Sequence, residues 1–469
     1  MKSTATRLAL IFIFLIHSNN SFSQIQSYLD SITVSKYKEV AGKFVSTALR
    51  DRMGYEALRN LCHIGPRLSG SRNSLIAINW AKHKMEELNF DSVWLQPVKV
   101  PHWERGSIEE VVILNHETLN EINLNALALG GSIGTTENGI TASVIEITSF
   151  EELKQRKQEV DGKIVFFSTG IDQSTKNTFS AYSNTAHFRV HGATEAAYFG
   201  AVAVIVRSLT TKYDNVPHTG ITIYQDSVKK IPAVSIGYLD ADYLSQKIKE
   251  DSQTEIRIKL DCRNLPEADS YNVIGEIRGS DYPDEVIVVG GHFDSWDVGN
   301  GAHDDGVGCI QAIEVLDLFN RLNIKPKRTI RVVLFINEEN GTRGGKEYGK
   351  YADTSKQIHY AAIESDRGAF TPVGFYVDTD SLELIQRIES WLPFLEYAGI
   401  HWVRKGGSGV DISKIKNANV LIGYYPDEQR YFDFHHSPSD VFEAVHPREF
   451  ELGSAAMVIL TFLLSEEGL

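Results

Sequence analysis

Residues 290–308, GGHFDSWDVGNGAHDDGVG, combine metal-binding residue types at a density that a solvated loop does not need. The nineteen positions hold two histidines, four aspartates and six glycines. They follow the apolar run 286–289, which predicts a buried strand. His292, Asp294 and Asp304 would then emerge just beyond the end of that strand. The pattern suggests one half of a metal site whose other half lies further along the chain.

Three more apolar runs also lead into acids or histidines. These runs cover 329–337, 359–363 and 419–424, and the last continues into a longer loop. In α/β sheets, ligands bind beyond the carboxyl ends of the strands. Four strand ends would therefore deliver polar residues to one rim, a coincidence that favours a functional site. The residues concerned are His292, Asp294, Asp304, Asp305, Glu338, Glu339, Glu364, Asp366, His435 and His436.

Histidines and carboxylates without cysteine suit zinc or a similar divalent ion. Two ions need about three protein ligands each, and a carboxylate can bridge them at roughly 3.5–4 Å separation. Two histidines and three carboxylates, one of them shared, meet that requirement. A water held between two such ions loses a proton near neutral pH and attacks a carbonyl carbon. A further carboxylate must accept that proton and pass it to the leaving amine.

The wider chain predicts an α/β fold with an inserted segment. After residue 271, continuous apolar strands alternate with helical patterns such as 304–322 and 381–392. This alternation indicates a mostly parallel or mixed central sheet with helices on both faces. Between 121 and 265, short β-rich runs separated by turn residues suggest a small β-rich domain set inside a larger one. The larger domain would comprise 24–120 and 266–469, with the polar rim in its second part.

The composition is that of a globular protein with an acidic surface. Of the 469 residues, 42% are apolar and 23% are charged, and the formal net charge is −14. Such a surface repels phosphate backbones, and no basic block is visible, so nucleic acid is not an expected partner. Cys62, Cys262 and Cys309 lack paired metal spacing. Any single disulfide, such as Cys62–Cys262, would leave one thiol over, and Cys309 is expected to be a buried apolar residue.

The first 23 residues have the organisation of a secretory signal peptide. Lys2 and Arg7 are positive residues near the start, and an apolar run covers 8–16. Ser21 and Ser23 provide the small residues of a cleavage site. The apolar run is too short to span a bilayer, and an uncleaved anchor helix is the alternative. With no later stretch suited to a membrane span, we expect an exported protein, periplasmic or secreted.

The polar residues occur in the order shown by peptidase family M28, and the chain resembles these zinc exopeptidases. The family pattern is H-x-D, D, E-E, D and H-[ST]-x-x-D. It is matched by HFD at 292–294, DDG at 304–306, NEEN at 337–340, ESD at 364–366 and HHSPSD at 435–440. The resemblance implies two zinc ions per chain, with Asp304 as the bridging ligand. The implied ligands are His292, Asp304, Glu339, Asp366 and His436.

The resemblance also implies roles for neighbouring carboxylates. Glu338 is implied as the general base of the reaction. Asp294 is implied as the carboxylate that fixes the ring of His292. Asp440, four residues after His436, would orient that ligand in the same way.

Two further assignments have alternatives. His435 and His436 are adjacent, and we choose His436 as the ligand because it directly precedes Ser437, as in the family pattern. His435 would then contact substrate or be structural. Ser408 and Asp411, in GGSGVDI, would line the substrate pocket, since glycines let backbone amides approach a ligand. The alternative is a tight turn in which the aspartate caps a helix.

Several segments resemble carboxypeptidase-type members of the same family, and the likeness covers nearly all of the chain after the predicted signal peptide. It implies a protease-associated-type β domain at 121–265 and a possible homodimer. The segments are GPRLSGS at 65–71, VPHWERG at 100–106, LGGSIGT at 129–135, VPHTGI at 216–221 and GGSGVDI at 406–412.

Together these observations predict a di-zinc exopeptidase for dipeptides or short peptides, of carboxypeptidase or dipeptidase type by resemblance. An aminopeptidase on the same metal scaffold is the alternative, because the residues alone do not tell which terminus is held. A non-catalytic receptor-like ectodomain is disfavoured because all the proposed ligands and Glu338 are intact. A single-zinc acyl transferase of the glutaminyl-cyclase type is disfavoured by the inserted segment.

Overall fold

The computed structural model describes residues 29–114 and 121–469. The predicted signal peptide, 1–23, lies outside these described residues. Across them, we find no helix with both the length and the apolar character that crossing a bilayer requires. The described chain forms two sheets, and the polar rim identified in the sequence belongs to the first.

The first sheet is mixed and has eight strands among the described residues. In spatial order, numbered along the chain, the strands are β1 (Ser92–Glu104), β10 (Arg263–Ile277), β12 (Arg328–Phe335), β11 (Tyr282–His292), β13 (Ile358–Glu364), β16 (Leu421–Pro426), β14 (Pro372–Asp378) and β15 (Trp402–Lys405). The central strands β12, β11, β13 and β16 are mutually parallel. Antiparallel pairs flank them, β1–β10 and β10–β12 on one side and β16–β14 on the other.

Helices cover both faces of this sheet, as the sequence predicts. They are α1 (Ser31–Asp51), α2 (Met53–Ile64), α3 (Arg72–Glu87), α8 (Val307–Arg321), α9 (Arg343–Thr354), α10 (Leu382–Glu389), α11 (Leu392–Leu395) and α12 (Pro447–Glu467). Short turns of 3₁₀-helix occur at Glu396–Ala398, Ile412–Lys414, Glu428–Asp433 and Phe442–Ala444. The turn Ala302–Gly306, in which Asp304 and Asp305 are not helical, leads into α8.

Strand β11 is apolar at successive positions because it is buried on both sides. Ile287 and Val289 belong to the large core that contains residues of α1, α3, α8 and α12. Val286 and Val288 belong to a smaller core that includes Tyr348 of α9. Successive side chains of a strand point to opposite faces of the sheet. A strand covered by helices on both faces therefore needs an unbroken apolar run.

Helix α3 shows how local sequence sets these elements. Its buried residues include Ala77, Ile78, Ala81 and Met85, whose spacing of three to four places them on one helix face. Ser71 precedes the helix, and its side-chain oxygen accepts the backbone N–H of Ser74. Such a cap satisfies one of the donors that the first helical turn leaves unpaired.

The second sheet also has eight strands among the described residues. In spatial order they are β3 (Glu121–Leu124), β2 (Glu109–Leu114), β9 (Glu255–Leu260), β5 (Ile140–Ile147), β6 (Ile164–Phe167), β7 (Ala203–Arg207), β8 (Ala233–Ile236) and β4 (Ala126–Ala128). Strands β5 to β8 are parallel, and the other pairs are antiparallel. The helices between them are α4 (Phe150–Gln155), α5 (Thr178–Ser183), α6 (Ala186–Ala197) and α7 (Tyr238–Glu250), with a 3₁₀ turn at Lys157–Glu159.

The segment 121–265 supplies every described strand of the second sheet except β2, which joins from before the predicted start. The segment contains helices as well as the predicted β-rich runs. Helix α6, AHFRVHGATEAA, mixes small and polar residues and lacks the clear apolar periodicity that announces a helix. The division into domains, and the protease-associated character of this segment, stay predictions.

The cysteines do not form a disulfide in the described chain. Cys62, Cys262 and Cys309 are all buried free thiols. Cys309 lies inside α8 with no exposed surface, as expected of a small apolar residue. The pairing Cys62–Cys262 considered from the sequence is therefore not made.

Candidate metal centre

The polar rim lies where three neighbouring parallel strands end. Strand β11 ends at His292, which is in register with Phe335 at the end of β12. Strand β13 ends at Glu364, which is in register with Gly290 of β11. Because these strands are parallel, the residues that follow them meet at one edge of the sheet. The structure thus brings together three of the four strand ends that the sequence places on a common rim, and the fourth strand, β16, runs parallel to β13 and leads into the loop that holds His436.

Five side chains at this edge form two adjoining clusters that share Asp304. In the first, His292 Nε2 lies 3.1 Å from Asp304 Oδ1 and 3.5 Å from Asp366 Oδ1. In the second, His436 Nε2 lies 3.4 Å from Asp304 Oδ2 and 2.9 Å from Glu339 Oε2. Each cluster has one histidine, one carboxylate of its own and one oxygen of the shared carboxylate.

The donors of these clusters fit a divalent cation. Asp304 Oδ2 and Glu339 Oε1 are buried and have no hydrogen-bond partner among the described residues. A buried carboxylate without a partner carries a large desolvation cost, which a bound cation would remove. Imidazole nitrogen and carboxylate oxygen, three donors to a cluster, are what zinc takes in catalytic sites. The residues present therefore fit zinc, with Asp304 shared between the clusters.

The two adjacent histidines differ in what they reach. His436 Nε2 contacts both Glu339 and Asp304, whereas His435 Nε2 approaches Asp304 at 3.9 Å. The two imidazole rings stack with their centroids 3.5 Å apart. His435 also packs edge-on against Tyr182, and among the described residues its buried Nδ1 has no hydrogen-bond partner. His436 thus makes the shorter contacts to the carboxylates, while His435, His436 and Asp304 also lie close enough together to hold one ion.

Backbone carbonyl groups orient both of the histidines that fit as ligands. His292 Nδ1 lies 3.0 Å from the carbonyl oxygen of Asp294 and 3.9 Å from the carboxylate of that residue. His436 Nδ1 lies 3.3 Å from the carbonyl oxygen of Thr219. A proton that Nδ1 donates to a carbonyl leaves Nε2 able to bind a metal. The Asp294 carboxylate instead accepts the backbone N–H of Glu338 at 2.9 Å.

The contacts of Asp440 correct the expectation that it orients His436. Its Oδ1 accepts the backbone N–H of His303 at 2.7 Å, and its Oδ2 accepts the backbone N–H of Asp304 at 3.1 Å. The carboxylate therefore positions the residue shared by both clusters. The segment VPHTGI orients His436 instead, through the carbonyl of Thr219.

Arg67 is a positioning residue that sequence reasoning misses. Its fully buried side chain donates to the carbonyl oxygens of Phe293, Asn300 and Gly301, at 3.1, 2.6 and 2.9 Å. These carbonyls belong to the loop that leads from β11 to Asp304, so the guanidinium fixes the path of that loop. The available signal was an arginine within GPRLSGS, but its partners lie more than two hundred residues away.

Burial and nearby charges shift the pKa values of two carboxyl groups of the rim in opposite directions. Burial raises the pKa of Glu338 to about 8, because the charged form loses its hydration. Burial would also raise the pKa of Asp304, but the hydrogen bond from His292 and the nearby histidines hold it well below its usual range. Burial thus makes Glu338 more basic, while the histidines around Asp304 make that carboxyl group more acidic.

The clusters open into a cavity of about 610 Å³. Glu338 lines this cavity together with the residues of both clusters. Segment 121–265 also contributes to the cavity lining, through Phe179, Tyr182, Arg189, Ile221 and Ile223. The cavity is therefore lined by residues from both stretches of chain, 121–265 and 266–469.

Ser408 and Asp411 are not part of the described cavity wall, whereas His435 is. Ser408 Oγ donates to a carboxylate oxygen of Asp378 at 3.3 Å. Asp411 is fully buried, and the carboxylate of Glu364 accepts the N–H groups of the surrounding turn. The turn considered from the sequence is present, although the Asp411 side chain does not cap the short helix that follows. The expectation that Ser408 and Asp411 line the pocket is not met.

Trp296 packs behind the site rather than lining it. The side chain is 2% exposed, and its ring centroid lies 5.7 Å from that of His436. Gly130, in LGGSIGT, lies so close to the indole that an added Cβ would overlap the ring. This glycine is therefore needed for packing around the site.

The chain matches known proteins over most of its length. A model described as Peptidase family M28 matches residues 272–461. Carboxypeptidase Q of Homo sapiens is 37% identical over 414 residues, covering 88% of this chain and 85% of that protein. The chain belongs to peptidase family M28. A crystal structure of a peptidase M28 precursor from Shewanella amazonensis is 32% identical with a TM-score of 0.88, covering 93% of this chain and 98% of that one.

Membership of this family settles the enzyme class. The chain is a metallo-exopeptidase, a hydrolase of peptide bonds, and the family and the ligand types of the site both indicate zinc. A zinc aminopeptidase from Bacillus subtilis shares the fold, with 18% identity and a TM-score of 0.62, covering 88% of this chain and 95% of that one. At that identity the likeness concerns the fold alone.

Proposed function

We propose that this M28 enzyme binds two zinc ions and hydrolyses dipeptides or short peptides, as a carboxypeptidase or dipeptidase. The observation that carries the proposal is the sharing of Asp304 between the His292 and His436 clusters, with Glu338 in the same cavity. Such an arrangement keeps metal, nucleophile and base within reach of one carbonyl group.

The clusters divide into two sets of three ligands. His292, Asp366 and Asp304 would hold one ion, and Glu339, His436 and Asp304 the other. When bound, the ions supply Lewis-acid activation of water and of the scissile carbonyl. Three protein ligands to an ion leave coordination positions open, which is the condition for a catalytic rather than a structural site.

Glu338 is placed to move the proton. Its backbone N–H is held by the Asp294 carboxylate at 2.9 Å, and it takes no part in either histidine cluster. Burial makes its carboxylate a stronger base than an exposed glutamate. In hydrolysis it would accept the proton of the attacking water and deliver it to the nitrogen of the leaving amine.

The size of the cavity supports a short substrate. A volume of about 610 Å³ falls within the range of small-molecule sites, about 300–1,000 Å³. The name of the human relative supports a carboxypeptidase type. We also infer action after export, in a periplasm or outside the cell, from the N-terminal pattern, and a homodimer from the family resemblance.

Metal analysis and a dipeptide panel test the proposal. Purified residues 24–469 should hold about two zinc ions per chain and should cleave an unblocked dipeptide. Loss of cleavage on amidating the C-terminus supports a carboxypeptidase or dipeptidase. Loss only on blocking the N-terminus would make the enzyme an aminopeptidase. A chain without zinc, or zinc without cleavage of any peptide, would refute the proposal.

A further inference from the structure

Arg189 is a buried cation at the cavity without an anionic partner. It lies on α6, its side chain is 5% exposed, and it lines the cavity. Among the described residues, it takes part in no ion pair, and its buried Nε has no hydrogen-bond partner. A buried charge of this kind is costly unless something completes it.

Each of the other buried arginines of the described chain has either a carboxylate partner or several carbonyl acceptors. Arg67 donates to three backbone carbonyl groups. A carboxylate lies 2.5–2.6 Å from each of the other four, Arg105, Arg207, Arg328 and Arg331. Arg189 departs from both patterns, and it does so at the cavity that holds the metal-binding groups.

Three contacts hold the guanidinium of Arg189 in place beside the metal clusters. Nη2 donates to the hydroxyl oxygen of Tyr182 at 2.5 Å, and Nη1 donates to the carbonyl oxygen of Thr219 at 3.3 Å. Nη1 also lies 3.4 Å from Nδ1 of His436, whose Nε2 faces the shared carboxylate. An added Cβ at Gly220 would overlap the guanidinium, so this glycine leaves room for it.

We propose that Arg189 binds the C-terminal carboxylate of the substrate, an inference that rests on the proposed exopeptidase function. In a dipeptide, that carboxylate belongs to the residue directly after the scissile bond. The α-carbons of the two residues are about 3.8 Å apart. Only the imidazole ring of His436 separates Arg189 from the metal clusters, so a short dipeptide could contact both. A guanidinium has five N–H donors, and those not used by Tyr182 and Thr219 remain for a carboxylate.

The competing explanation is that Arg189 only ties α6 to the loop that contains Thr219. In that case its loss would disturb His436 and impair every substrate alike. Recognition of a carboxylate predicts a selective effect instead, confined to substrates that carry the free C-terminus. The two explanations therefore differ in the ratio of activities between a peptide and its C-terminal amide.

The test compares a dipeptide with its C-terminal amide for the wild type and Arg189→Met. The kcat/KM of the wild type should be on the order of a hundredfold higher for the free acid than for the amide. This is the size of effect expected when one partner of a buried, hydrogen-bonded charge pair is removed. Arg189→Met should remove that preference by losing activity on the acid, with the amide rate and the zinc content kept. Arg189→Lys should recover part of the preference. Arg156→Met, which removes a charge elsewhere on the segment 121–265, should leave the ratio as in the wild type.

Calorimetric binding of a free amino acid and of its amide gives a readout that needs neither turnover nor a variant. The wild type should bind the free amino acid more tightly by a similar factor. Equal activity and binding for acid and amide, or a preference retained in Arg189→Met, would overturn the inference while the exopeptidase function stands. Equal losses on both substrates together with lost zinc would make Arg189 structural. If the wild type cleaves neither peptide, the proposed function fails, and the binding comparison still decides the role of Arg189.

Discussion

Removing the carboxylate of Asp440 should weaken both metal positions at once. In Asp440→Ala, the backbone N–H groups of His303 and Asp304 lose buried acceptors that lie at 2.7 and 3.1 Å. The backbone of Asp304, which serves both clusters, is then no longer fixed. A change that acted only on the ring of His436 would weaken one cluster and leave the other intact.

The magnitude follows from two charge-assisted hydrogen bonds at a residue that is 2% exposed. Each bond of this kind contributes about 1.5–3 kcal/mol. Removing the buried carboxylate also relieves its own desolvation cost, which offsets part of the loss. We therefore expect the free energy of unfolding of the metal-free protein to fall by about 2–4 kcal/mol. Zinc affinity should fall by about 10–100-fold, as for other residues that hold a ligand in place.

Urea unfolding of the metal-free protein measures the stability change, and chelator competition measures the affinity of each zinc equivalent. Ser465→Ala is the matched control. The fully buried hydroxyl oxygen of Ser465 accepts the backbone N–H groups of Lys327 and Arg328, at 3.0 and 3.2 Å. Because these residues precede and begin β12, at the far end from Glu338, this variant should lose stability and keep its zinc affinity.

Two outcomes would refute the reasoning about Asp440. Weakening of a single zinc equivalent would return Asp440 to the role of orienting His436. Unchanged zinc affinity despite lower stability would mean that Asp304 is held without this carboxylate. Asp440→Asn, which keeps one acceptor oxygen, should fall between the wild type and Asp440→Ala in both measurements.

Four further substitutions probe the centre and its packing. Glu338→Gln should keep its zinc and lose about 10²–10⁴-fold in kcat, because an amide cannot accept the proton; near-wild-type turnover, measured alongside zinc content, would remove Glu338 from that role. His436→Ala should lose one zinc ion per chain in elemental analysis while His435→Ala keeps both, and the reverse result would exchange their assignments. Gly130→Ala should lower the free energy of unfolding by about 1–3 kcal/mol, since its Cβ would overlap the ring of Trp296; an unchanged urea midpoint would show that the loop yields at no cost.

The central sheet and the clustered residues could be predicted because the relevant signals are local. His292 and Glu364 end strands whose apolar runs are visible in the sequence. Parallel strands bring their carboxyl ends to one edge, so the residues that follow them are expected to meet. The choice between His435 and His436 rested on the residue that follows, and the contacts with Glu339 favour the same choice.

The supporting residues could not be predicted because their partners are distant in sequence. Arg67 reaches carbonyls more than two hundred residues away, and Arg189 meets His436 across 247 residues. Asp440 lies four residues after His436, but the turn directs its carboxylate to Asp304. Ser408 differs for another reason: a glycine-rich sequence does not reveal which way a turn faces, and the hydroxyl group donates to Asp378.

The cavity joins two stretches of chain that can change at different rates over evolution. The residues that fit as metal ligands all come from 266–469, and Arg189 and Tyr182, which also line the cavity, come from 121–265. Substitutions in α6 can therefore alter which substrates are accepted while the hydrolytic chemistry is inherited unchanged. His436 is one of the places where the two stretches meet, so a new specificity must leave the surroundings of its ring undisturbed.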